Sequence, residues 1–393
     1  MNETRAEPAA GTETLSELVM SRRVLVAVGA GGVGKTTTAA ALGLAAACRG
    51  RRVLCLTIDP ARRLAEALGL DVISSEEQVV RPERFAQAGL PTTGSLTATM
   101  LDTQRTFDEL VTKYSSTPER ARKLLNNKLY KYVSTSLAGT QEYMAMEKLV
   151  AVEKEDRFDL IVLDTPPTTN ALDFLDAPER LVEALDSPTM KWFVQAFEST
   201  GKVSLNLLAR SAALVLRGVA RITGAGFLEA LAEFLTDLND LFGGFRERAL
   251  SVEKSLRSPA VTFVLVTSPA PMSIQEVLFF SDRLDAARMP RGAFVVNRFH
   301  LPPASAKAPP TEQEVAQAMA AHGLILDDDG APRLLQAYAD AVQLAELDAL
   351  HVRNLDARAR GAVPIVRVPE LVTDVRDLRT LAAIADTLMR GGI

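Results

Sequence analysis

Between Gly29 and Thr36 the chain reads Gly-Ala-Gly-Gly-Val-Gly-Lys-Thr, which fits the spacing G-x-x-x-x-G-K-[ST]. Glycines at this density let successive backbone N–H groups turn inward. Gly29, Ala30, Gly31, Gly32, Val33 and Gly34 would then form a cradle for an oligophosphate. Lys35 adds a point charge for the terminal phosphates, and the Thr36 hydroxyl is a hard-oxygen ligand suited to Mg²⁺. A helix opening at the same point would add its partial positive charge.

Two carboxylates stand where phosphate chemistry needs them. Asp164 ends the apolar run Leu160-Ile-Val-Leu163, and a carboxylate at the tip of a neighbouring strand can hold the Mg²⁺ shell. Asp59 follows the apolar run Val53–Ile58 and precedes Pro60. It either orients an attacking water or caps the next helix, and the residues alone leave both roles open.

The elements that must position these groups are legible from apolar patterning. Residues 23–28 form a short β-branched run without helical period, as a buried parallel strand requires. An alanine-rich helix over Thr36–Cys48 is closed by Gly50, and Val53–Ile58 supplies a second strand. Further buried strands are expected at Leu160–Leu163, Val261–Val266 and Ala293–Val296. The expected fold is α/β: a doubly wound, mostly parallel sheet with an inserted α-helical subdomain.

Residues 1–20 read as a flexible lead-in, and 21–393 as one domain with helical insertions at 103–155 and 180–257 and a further insertion at 301–362. Within 180–257, Phe227, Leu231, Phe234, Leu235, Leu238, Leu241, Phe242 and Phe245 make an i, i+3, i+4 stripe. That stripe fits either internal packing or a groove for a partner.

The 393 residues are 47% hydrophobic and 24% charged, with a net charge of −5. The acidic balance argues against nucleic acid or an anionic membrane as partner. Only Cys48, Cys55 and three histidines offer soft ligands, too few and too scattered for a structural zinc site. Free thiols in a reducing compartment are expected. The first twenty residues lack the apolar core of a signal peptide. The apolar stretch Leu205–Ala220 carries Arg210 and Arg217 and is too short to span a bilayer. A soluble, cytoplasmic protein with no direct membrane span is the expectation.

With these residues in view, the chain resembles the arsenite-pump (ArsA) and guided-entry (tail-anchored protein targeting) family of dimeric P-loop ATPases over most of residues 22–393. Residues 29–37, ending in Thr37, are similar to the family's phosphate loop, and Thr57-Ile-Asp-Pro-Ala61 to its first switch. Asp164-Thr-Pro-Pro-Thr-Thr-Asn-Ala-Leu172 resembles the second switch, and Gly139-Thr-Gln-Glu142 a helix start leading to it. Asn297 matches an asparagine that reads adenine, and Val368-Pro369-Glu370 a late loop that packs on the base.

The resemblance implies ATP and Mg²⁺ as ligands, the metal held by Thr36, Asp59 and Asp164, partly through water. It implies hydrolysis to ADP and phosphate with Asp59 and Lys35 as catalytic residues. It also implies a homodimer or a heterodimer with a related ATPase subunit, and coupling of nucleotide state to a protein client through the helical subdomain.

Four departures qualify this. Ala30 replaces the family's signature lysine, which reaches the partner's nucleotide, and Arg62-Arg63 replaces His-Asn in the first switch. Thr169, Asn170 and Ala171 replace the Gly-His-Thr of the second switch, and no C-x-x-C or arsenite-binding cysteine set is present. A three-thiolate arsenite site therefore cannot come from one chain. With Ala30, either Arg62 or Arg63 supplies a cation in trans, or the chain is a scaffold subunit of little turnover beside a lysine-bearing partner.

Overall fold

Strands that are apolar at every position set the architecture. In the computed structural model, which describes residues 13–58, 63–71, 73–127, 130, 140–165, 183, 248–303, 309–359, 361 and 363–392, β1 (Val24–Val28) is buried throughout. So are β5 (Leu160–Asp164) and β6 (Val261–Thr267), as parallel strands covered on both faces must be. With β2 (Arg52–Thr57), β3 (Gln78–Val79), β4 (Ser95–Met100), β7 (Arg291–Phe299) and β8 (Ile365–Pro369), they form an eight-stranded sheet in the order β3-β4-β2-β5-β1-β6-β7-β8. Only β3 runs antiparallel, at one edge.

The helices are α1 (Leu15–Ser21), α2 (Lys35–Ala47), α3 (Arg63–Ala67), α4 (Pro82–Gln87), α5 (Thr103–Tyr114), α6 (Pro118–Leu125), α7 (Thr140–Glu153), α8 (Pro271–Ala286), α9 (Glu312–Ala321), α10 (Gly330–Ala359) and α11 (Leu378–Met389). Alternate residues of β1 feed two cores. Val24, Val26 and Val28 join the cluster beneath α5, α7, α8 and α10, while Leu25 and Ala27 join the one beneath α1, α2 and α11. The sheet is therefore doubly wound and mostly parallel, as the sequence predicts.

Small residues let α2 lie close to the sheet. A Cβ added at Gly43 would stand 2.5 Å from the Cys55 sulfur on β2. Ala39, Ala40, Ala41, Ala45, Ala46 and Ala47 are all buried around it. Gly50, at φ +92, turns the chain back just past this helix.

The lead-in expected over 1–20 ends in a packed helix: Thr14 and Glu17 form a reciprocal capping box for α1, and Leu15, Leu18 and Val19 are buried. β4 and β8 were not anticipated, because Thr97 and Thr99 dilute the apolar run of one and Arg367 interrupts the other. The C-terminal segment is amphipathic because α11, capped by Asp377, buries Leu381, Ile384 and Leu388 against the α2 side of the sheet.

Residues 103–155 contain α5, α6 and α7, and residues 301–362 contain α9 and α10. Most of 180–257, including the stripe from Phe227 to Phe245, lies outside the described residues. Where the chain returns, a helical run over 248–256 is tied to α7 by an ion pair between Arg248 and Glu147. Glu147 is 2% exposed, and the Arg248 guanidinium also lies 5.7 Å from the Tyr114 ring centroid. Among the described residues no helix is long and apolar enough to cross a membrane.

Candidate nucleotide site

The loop from Gly29 to Gly34 joins the end of β1 to the start of α2, and its glycines are there for contact. Gly29 has φ +154, and a Cβ on it would lie 2.0 Å from the Val266 carbonyl oxygen at the tip of β6. Gly34 caps α2 in the left-handed conformation, φ +94, where a Cβ would meet the Asn297 side-chain nitrogen at 2.1 Å. A Cβ on Gly32 would meet nothing within 4 Å. The loop is thus clamped at both ends and open in the middle, which suits a phosphate cradle at a helix N-terminus.

Lys35 is 6% exposed, and its ammonium donates to the Ala30 carbonyl at 2.7 Å, folded over the loop it serves. Ala30 itself packs against the core beneath α2. Ala30 therefore contributes only a methyl group to the loop.

Strand register brings the rest together. Asp164 pairs with Ala27 of β1 and with Thr57 of β2. Its Oδ2 accepts from the Thr36 hydroxyl at 2.8 Å and from the Thr57 hydroxyl at 3.0 Å. A hydroxyl and a carboxylate this close form a hard-oxygen pair, so the donor chemistry fits Mg²⁺. The Asp164 carbonyl accepts from the Ile58 amide at 3.3 Å, and the Thr165 hydroxyl donates to the Ala27 carbonyl at 2.8 Å. One aspartate thus joins the phosphate loop to the root of the segment beyond Ile58. Asp59, Pro60, Ala61, Arg62, Gly139 and residues 166–172 lie outside the described residues; Arg63 is exposed at the start of α3.

At the other end of the loop, the Asn297 side-chain amide donates to the Val33 carbonyl at 2.9 Å, so β7 braces the loop directly. Val33 and Val368 are buried in the core, leaving Pro369 and Glu370 as the accessible part of the late loop. Glu370 reaches His300, whose Nε2 lies 2.6 Å from its Oε2. The other ring nitrogen lies 2.7 Å from Asp348 Oδ2.

Sequence reasoning placed Thr57 in the first-switch segment without its bond to Asp164, and gave His300 and Asp348 no role. For Thr57 the available signal was its place as the last residue of a strand ahead of Asp59. The other two carry no local pattern.

Cys55 sits under α2 within the same core. Burial, assisted by the nearby charge of Asp164, pushes its thiol up to about 12, so it is inert packing and not a reactive group.

A glycine loop between a buried strand and a helix, with its threonine bonded to an aspartate on the adjacent strand, defines a P-loop nucleotide-binding protein. The chain belongs to the family described as anion-transporting ATPase, whose profile matches residues 22–319. It is 25% identical over 218 residues to the ATPase GET3 of Malassezia globosa, covering 54% of this chain and 57% of that protein. It is 27% identical over 315 residues to the ATPase GET3B of Arabidopsis thaliana, covering 76% of this chain and 70% of that one. The ATPase get3 of Schizosaccharomyces pombe is 26% identical over 305 residues, covering 76% and 79%. The chain spans about half the length of several relatives it matches.

Proposed function

We propose that the chain is a cytoplasmic, Mg²⁺-dependent ATPase that cycles between nucleotide states as a dimeric switch. The reading is carried by one observation, the 2.8 Å contact between Thr36 at the start of α2 and Asp164 at the tip of β5. ATP would lie along residues 29–37, with Lys35 released from the Ala30 carbonyl to the terminal phosphates. Thr36 and Asp164 would hold Mg²⁺, with Asp59 in its water shell. When bound, Mg²⁺ neutralises charge on the phosphate oxygens. Asp59 orients the attacking water, and the products are ADP and phosphate. Asn297, Pro369 and Glu370 would face the base, with Val368 anchoring their loop.

The helical stretch 180–257 would transmit the nucleotide state to a protein client. Its coupling route begins at Asp164, which bonds the loop, the first-switch root and, through its chain neighbour Thr165, the end of β1. With only a methyl group at Ala30, the trans cation would come from Arg62 or Arg63 in a homodimer.

The test is Mg²⁺-dependent ATP hydrolysis by the purified chain over a range of protein concentrations, with Asp59→Asn as control. Specific activity that rises with concentration and disappears in the variant supports a self-sufficient dimer. Tight ATP binding without turnover assigns the chain to a scaffold role beside a lysine-bearing subunit. Failure to bind ATP sinks the reading.

A further inference from the structure

Directly after Asn297 the pleat of β7 breaks. Its pairing with β8 shifts register between Val296 and Phe299, and Arg298 adopts φ +59, an unusual conformation for a side chain of its size. The break places His300 at the junction of three elements. Its backbone amide donates to Asp348 Oδ2 at 2.9 Å, the same oxygen that lies 2.7 Å from its Nδ1. Asp348 is on α10 and only 6% exposed. On the opposite side of the ring, Nε2 reaches Glu370 Oε2 at 2.6 Å, while the Glu370 amide donates to the Phe299 carbonyl at 3.0 Å.

The loop needs such a strut. Behind it, a cavity of about 450 Å³ separates Pro369, Glu370, Leu371 and Val372 from Ala341 and Leu344 of α10. Val372 is fully exposed and Glu370 is nearly half exposed. Apolar packing therefore does not fix this segment from the α10 side. A half-exposed carboxylate loses rotamer freedom only where a partner holds it, and His300 is that partner, itself held by a buried carboxylate on a long helix.

We propose that His300 is a positioning residue: bridging Asp348 and Glu370, it fixes the loop after β8 and thereby sets how strongly the site prefers adenine to other purine bases. This rests on the nucleotide reading above. His300 acts on the base end alone, because its contacts run to α10 and the late loop and not to residues 29–36.

The experiment measures dissociation constants of ATP, GTP and inorganic tripolyphosphate, which has no base, for the full chain and for His300→Ala and Asp348→Asn. The wild type is expected to prefer ATP to GTP. His300→Ala should weaken ATP about tenfold, with the ATP/GTP ratio falling toward one and tripolyphosphate binding within twofold of wild type. Asp348→Asn, which weakens the hold on His300 but keeps the ring and Glu370, should shift the same ratio less, about threefold, with the thermal melting point as check on folding. Equal losses for ATP and tripolyphosphate, or no change in the ratio, overturn the proposal. A wild type that binds tripolyphosphate without preferring ATP overturns it too, while leaving the phosphate loop standing. A wild type that binds none of the three overturns both readings.

Discussion

At the phosphate end, β1, β2 and β5 deliver Ala27, Thr57 and Asp164 in register, and one glycine loop completes the cradle. At the base end, a bulged β7, the middle of α10 and the loop after β8 have to meet through side chains. The first is a backbone construction, intolerant of added atoms but independent of distant residues. The second is held by ring and carboxylate contacts, one of them at a half-exposed carboxylate. Under the proposed function, that difference predicts rigid handling of phosphates and tunable handling of the base.

The harshest way to break this contrast is Gly29→Ala. A methyl 2.0 Å from the Val266 carbonyl forces the loop or β6 to move. Calorimetric ATP affinity should fall by more than about a hundredfold, near 3 kcal/mol. Retained affinity would mean that the phosphate end yields and the contrast is false.

Thr57→Val should come next. It leaves the shape but removes a hydroxyl that donates to buried Asp164. A loss of about 1–3 kcal/mol in urea unfolding is expected, with a raised Mg²⁺ requirement for turnover. An unchanged unfolding curve would show that Asp164 does not depend on β2.

Asn297→Ala sharpens the boundary between the ends, since its amide braces Val33 from the base side. About 1 kcal/mol should be lost for ATP and for tripolyphosphate alike, unlike His300→Ala. A loss confined to ATP would move Asn297 wholly to the base end.

The smallest effect lies at the starts of β2 and β5, the opposite ends of these strands from Thr57 and Asp164. The Arg52 side chain, with its backbone amide, holds the Asp159 carboxyl down at about 2 from an ordinary 3.8. A folded value below the unfolded one contributes stability that is complete above about pH 4 and fades toward pH 2. Arg52→Ala should therefore unfold slightly earlier in urea near pH 5 and match the wild type near pH 2, with ATP affinity unchanged. A difference that grows on acidification would reverse the sign and refute the assignment.

The same contrast explains what the sequence reveals. The phosphate loop and its flanking strands are local patterns, so Gly29–Thr36, β1 and β5 were readable from spacing and apolar runs. Asp164 was readable as a strand tip, but its bond to Thr57 needs the order β2-β5-β1, which no local pattern encodes. His300 and Asp348 are 48 residues apart and meet only because α10 packs beside β7. The capping box of Thr14 and Glu17 was written in the sequence, yet the polar character of the first residues outweighed it. Asp59, the switch segment beyond Thr165 and the stripe from Phe227 stay at the level of sequence resemblance, being outside the described residues.

The moorings at Thr165 and Arg248 have a consequence for the interval between them. The described chain leaves the sheet at Thr165, bonded to Ala27, and among the described residues Arg248 ties it back, paired with Glu147 and close to the Tyr114 ring. Both contacts are made on elements packed against the sheet, so each end of the interval is fixed relative to the phosphate loop.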